Sequence, residues 1–196
     1  EAKAHVAVQR WIDEGGLSAA QAVTAEGIRE IHRRFSELLP EHLQWVEDPA
    51  GGERAHVGAG HLRSRWVRVG RHVPVSPGAV PRFLARFEQV YGRAGKMESI
   101  LGVAAAHHRL LWIHPFLDGN GRVARLMSHA QLLGLLDSGA LWSVARGLAR
   151  NVEEYRVLLE ACDEPRRGDL DGRGALSEEA KAHVAVQRWI DEGGLS

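Results

Sequence analysis

The stretch from Met97 to Arg125 leaves the chain few choices of fold. Met97 to about Ile113 reads as one helix that is nearly all apolar, with Ile100, Leu101, Val103, Ala104 to Ala106, Leu110 and Leu111. A helix apolar on most sides has to be buried, so this segment is expected to be the central one. It delivers His114 at its end, and Pro115 stops it. From His114 to Arg125 the chain reads H-P-F-L-D-G-N-G-R-V-A-R: a base, a carboxylate, a glycine-rich turn and two arginines. Arg122, Val123, Ala124, Arg125, Leu126 and Met127 follow the turn without a breaker, so a second helix opens there. The first N–H groups of a helix lack partners and carry the positive end of its dipole, and such a turn attracts phosphate. Gly119 and Gly121 let the backbone approach a ligand closely. Arg122 and Arg125 lie roughly on one helix face and can both reach an anion. The pattern describes a phosphate site with a base beside it. It is not a Walker loop, since no GK[ST] follows, and not a dinucleotide-binding turn, since no strand precedes it.

The rest of the chain supplies helices to surround that unit. Glu1 to Ser18 reads as a short helix with Ala4, Val8, Trp11 and Ile12 on one stripe, stopped by Gly15-Gly16. Thr24 caps a second, with Ile28, Ile31, Phe35 and Leu38-Leu39 at helical spacing and Pro40 at its end. Between Glu41 and Pro81 glycines break the pattern; Trp66, Val67, Val69, Val73 and Val75 are the best strand candidates, turning near Gly70-Arg71. That hairpin reads either as ordinary surface or as a flap that holds a substrate peptide by strand addition. Phe83, Leu84, Phe87, Val90 and Tyr91 mark another helix, and Val144, Leu148, Val152, Tyr155 and Leu159 a last long one from about Ser143 to Ala161. Pro165 to Gly174 is a polar, glycine-rich linker.

Composition narrows the partners. With 196 residues there is room for one well-cored domain. Lys plus Arg and Asp plus Glu both total 25, so no net charge argues for nucleic acid, and the longest apolar run is far short of a membrane span. A single cysteine, Cys162, excludes an intrachain disulfide and points to a reducing, cytoplasmic setting. Residues 179–196 repeat residues 1–18 letter for letter. Two identical helices cannot fill one groove, so one copy is expected in the core of a single domain spanning 1–178. The other is expected to dock on a neighbouring chain, giving a dimer or terminal-helix swap, or to lie loose.

The twelve residues His114 to Arg125 resemble the Fic motif, HxFx[DE]GNGRxxR, with every fixed position satisfied. The likeness extends to Ala106-His107 and Ile113, to Gly70–Pro81, to Asn151–Tyr155 and to Asp169–Gly174. It implies an all-α, Fic-type bundle of about 7–8 helices with a small β-hairpin flap at about 61–76. It also implies a protein adenylyltransferase, moving AMP from ATP to a Tyr, Thr or Ser hydroxyl of a target protein. By position, His114 would be the general base, and its ordinary pKa near 6.5 suits that work. Phe116 would anchor the loop in the core, and Asp118 would hold Mg²⁺. Gly119, Asn120 and Gly121 would form the anion hole, with Arg122 and Arg125 neutralising the phosphate chain. Asn151 and Tyr155 would line the adenine pocket, and Gly70, His72 and Val73 would belong to the target-docking flap. His107 is expected to support the core behind the motif.

The chain departs from the family in two respects: many members carry an inhibitory [ST]xxxE[GN] segment, and none occurs here; and after Leu176 to Ala180 the resemblance implies a different final helix, where the copy of residues 1–18 stands instead. Two rival readings stay open. The same site would serve another nucleotide or phosphate-containing donor, or remove AMP; or the chain would be a nucleotide-binding module without turnover.

Overall fold

A computed structural model describes residues 1–47, 54–70, 72–92, 100–136 and 143–163. Glu1–Leu159 forms one compact unit. A second, Glu160–Ser196, lies outside the described residues except for 160–163, so the linker and the copy at 179–196 are not described.

Helix α1 (Ala2–Asp13) buries Ala4, Val8 and Ile12, as its apolar stripe requires. It ends where Gly15 takes φ 86° and the Gly16 N–H reaches Trp11 O at 2.9 Å. A Cβ on Gly16 would strike the Trp11 indole, so only glycine fits. A single turn, α2 (Ala19–Ala22), follows inside a capping box between Ser18 and Gln21. Helix α3 (Ala25–Glu37) starts at Thr24, whose hydroxyl accepts from Gly27 N–H at 2.9 Å, and it buries Ile28, Ile31, His32 and Phe35. Strands β1 (Trp45–Glu47) and β2 (Arg54–His56) then pair antiparallel with Val46 opposite Ala55. Helix α4 (Val80–Tyr91) buries Val80, Leu84 and Phe87. The remaining helices are α5 (Ile100–Ile113), α6 (Asn120–Leu135), α7 (Val144–Arg150) and α8 (Val152–Asp163). Phe35, Phe116, Ile113, Leu126 and Met127 are fully buried where α3, α5 and α6 meet; such side chains contribute roughly 1.5–3 kcal/mol each. No helix among the described residues is long and apolar enough to cross a membrane.

Three expectations need correction. The central helix is α6, which packs against α1, α2, α3, α5 and α7. Helix α5 leaves Leu101 81% exposed at its outer end. Apolar periodicity hid the centrality of α6 because its buried positions include Ser128, His129 and Gln131. The first two are satisfied internally: Ser128 donates to Ala124 O at 2.9 Å, and His129 meets Asp13 at 2.6 Å. Second, the long helix expected from Ser143 breaks at Asn151 (φ −125°, ψ 40°) into α7 and α8. Third, the regular β-pair is β1–β2 and not a ladder through Trp66 to Val75. Among the described residues only Val69 and His72 exchange bonds across the turn at Gly70, at 3.0 and 2.9 Å. Beyond them the strand partners go elsewhere: the His72 ring donates to Trp112 O at 2.9 Å, and Arg63 takes Val75 O.

Candidate active site

The loop between α5 and α6 is held from inside the core. His114 is the one non-glycine residue with positive φ (52°) among those described, and with Pro115 it ends α5 sharply. Phe116 is fully buried and lies flat on the His32 ring, centroids 3.8 Å apart and planes 10° off parallel. His32 also ties the loop by both nitrogens. Nδ1 accepts the Gly60 N–H at 2.9 Å, so Nε2 carries the proton that Asp118 O accepts at 3.1 Å. Burial pushes His32 down to about 4 and keeps it neutral for this double role. Gly119 caps α6 at φ 84°, with a Cβ there only 3.3 Å from the same ring. Asn120, expected in the anion hole, uses its side chain differently: Oδ1 accepts Phe116 N–H and Nδ2 donates to Phe116 O, both at 2.9 Å. Its contribution to an anion is therefore its backbone N–H.

His114 faces a groove of about 340 Å³ bounded by Val46, Glu47, Arg65 to Val69, Leu117, Asp118, Asn120 and Gly121. Its Nδ1 lies 3.2 Å from Leu111 O. A carbonyl only accepts, so Nδ1 carries the proton and Nε2 keeps a free lone pair. Burial pushes the ring down to about 4, and the nearby Arg63 and His72 add to that. The ordinary value of 6.5 expected for the base is thus corrected: His114 stays neutral and accepting well into acid.

The other side of α6's first turn opens on a second cleft of about 540 Å³. It is lined by Arg122, Arg125, His5, Gln9, Arg146 and Tyr155, among others. Among the described residues no backbone carbonyl takes the N–H of Asn120 or Gly121. Arg122 sits between Asp118 Oδ2 at 3.3 Å and Glu1 Oε1 at 3.0 Å. Exposed pairs of this kind are worth at most about 1 kcal/mol, so an incoming phosphate can take their place. Arg125 lies beside the Tyr155 oxygen, and burial holds its pKa below the usual arginine value. Behind it runs a chain of fixed direction. Ser128 gives its proton to Ala124 O, so it accepts from His107 Nδ1 at 2.8 Å. His107 Nε2 then accepts the Tyr155 hydroxyl at 2.8 Å, with the Arg125 guanidinium beside the same oxygen. His107 supports the motif as expected, and Tyr155 lines the cleft. Asn151 does not: it is exposed at the end of α7 with its amide toward Gly147 O.

The Asp118 carboxylate, half-exposed, is a hard oxygen ligand beside the anion site. Mg²⁺ keeps several waters and is bound through one or two carboxylates plus substrate phosphates, so the donor set fits an ion that arrives with a nucleotide. Among the described residues no group of three or more His, Cys, Asp or Glu could hold a metal by itself.

On the flap side the groove is lined by Arg65 to Val69, and not by Gly70, His72 and Val73. His72 points inward to α5, Gly70 supplies the turn (φ 58°), and Val73 is exposed beyond it. Two supports of this loop carry no signal in the sequence, His32 and the buried Arg63, because each bonds partners far along the chain.

This arrangement has relatives. The Fic/DOC family model matches residues 22–132. "Protein adenylyltransferase Fic" of Drosophila ananassae is 35% identical over 113 residues, 57% of this chain and 20% of that protein. Its namesake in Drosophila grimshawi is 34% identical over the same length. The match thus spans about a fifth of these relatives. The crystal structure of a Fic domain containing signaling protein from Bacteroides thetaiotaomicron VPI-5482 superposes with a TM-score of 0.51 at 23% identity. That superposition covers 94% of this chain and 65% of the other, and it bears on the fold alone. With more than half of its length matched by the family model, the chain belongs to the Fic/DOC family.

Proposed function

We propose that this chain is a protein adenylyltransferase, transferring AMP from ATP to a Tyr, Thr or Ser hydroxyl of a target protein. The observation that carries the reading is the first turn of α6. One side shares the groove that holds the free Nε2 of His114, and the other presents Arg122 and Arg125 to a cleft of nucleotide size. The named activity of the Drosophila relatives supports it.

In this reading the triphosphate lies along the start of α6. The N–H groups of Asn120 and Gly121 face the α-phosphate, and Arg122 and Arg125 face the leaving pyrophosphate. The base of the nucleotide extends toward Tyr155. Asp118 would hold Mg²⁺, which supplies charge neutralisation to the phosphates when bound. The acceptor hydroxyl enters through the groove beside Arg65 to Val69. His114 Nε2 takes its proton as the oxygen bonds to the α-phosphorus, and the bond to the pyrophosphate oxygen breaks. The protein's part is positioning and electrostatics. Incubation with each nucleoside triphosphate and Mg²⁺, followed by intact-mass measurement, tests the donor. A gain of one AMP with ATP supports the reading. A gain only with another nucleotide assigns a different donor, and binding of ATP without any gain makes the chain a nucleotide-binding module.

A further inference from the structure

Arg63 is 3% exposed, and every hydrogen bond of its side chain goes to a backbone carbonyl. Nε donates to His114 O at 2.6 Å, one terminal nitrogen to Arg65 O at 3.1 Å, and the other to Val75 O and to Ile113 O at 3.4 Å. Its own N–H adds a bond to Pro115 O at 2.9 Å. A guanidinium offers donors in a rigid fork, and this one joins three segments: the end of α5, the groove wall at Arg65, and the loop at Val75. Ile113 O belongs to the last turn of α5, where carbonyls lack helical partners and a cation is favoured. The His114 carbonyl belongs to the residue held at φ 52°, a conformation that is strained for a non-glycine residue and needs outside support.

We infer that Arg63 is a positioning residue for the reaction: it fixes the His114 backbone so that Nε2 faces the groove, and it ties the acceptor wall at Arg65 to the same point. The inference rests on the reading of His114 as the base. It separates two properties that a general loss of structure would move together. Arg63 touches neither Arg122 nor Arg125, so nucleotide binding does not depend on it.

Two variants test this, Arg63→Gln and Arg63→Lys. Lysine keeps the charge but cannot fork to three segments. In both, kcat for AMP transfer should fall about 10-fold or more, since misplacing a base by an ångström costs up to about 100-fold. The Kd for ATP should stay within about 2-fold. Unchanged kcat, or kcat and ATP affinity lost in parallel, overturns the inference. Long-range ¹H–¹⁵N spectra of the imidazole give a readout independent of turnover, which keeps the test valid if the wild type transfers no AMP. The wild type should show His114 as the single Nδ1–H form, and Arg63→Lys a mixture of both ring tautomers. An unaltered single form in a folded Arg63→Lys also overturns it.

Discussion

Replacing His32 with phenylalanine separates the two ways this residue holds the catalytic loop. The ring stack on Phe116 survives, whereas the bonds to Gly60 N–H and Asp118 O are lost. A buried group left without a partner costs about 1–3 kcal/mol. The bond to Asp118 O is only part-buried, so the expected loss is about 2–4 kcal/mol near pH 7. The variant also removes a source of acid sensitivity. His32 has a pKa of about 4 when folded and 6.5 as its ordinary value, so between those values the unfolded chain binds a proton that the folded chain refuses. The wild type therefore has its full His32 contribution above 6.5 and loses it as pH falls towards 4, by about 3 kcal/mol in all. His32→Phe has no such term. Urea denaturation of both proteins near pH 7 and near pH 4 measures the difference. The wild-type advantage should be large at neutral pH and shrink to about 1 kcal/mol or less in acid. A gap that does not change with pH, or no gap at pH 7, refutes the account of a neutral histidine bonded on both sides.

Two further outcomes follow from the loop. Asn120→Ala strands the N–H and the carbonyl of buried Phe116, so it should lose about 2–4 kcal/mol in thermal or urea melts and much of its activity. Since His114 must be neutral to accept a proton and is pushed down to about 4, kcat/KM should hold as pH drops through 6.5 and fall only nearer 4–5; a limb at 6.5 in the free enzyme contradicts that burial.

Much of this was legible in local sequence. The Thr24 cap, the glycine stop after α1 and the motif's turn into α6 are decided by residues within a few positions of one another, and each stands as read. The failures share the opposite property. Arg63 and His32 do their work on carbonyls and amides of residues 113–115, 118 and 60, which no spacing announces. The sheet was misplaced because β-propensity at Val69, Val73 and Val75 counts for less than the bonds that draw His72 and Val75 O to α5 and Arg63. The centrality of helix α6 is hidden because its buried Ser128 and His129 find partners, and partnering cannot be read from hydropathy. Asn151, expected in the cleft, instead turns the chain between two helices.

The proposed division of labour gives His114 the part of the base and leaves the two arginines and the first turn of α6 to bind the nucleotide. It is tested most directly by His114→Ala, with AMP transfer followed by intact mass and ATP binding followed by calorimetry on the same preparation. The account predicts that transfer is abolished while the Kd for ATP stays within about 2-fold of wild type. Transfer at the wild-type rate would contradict it.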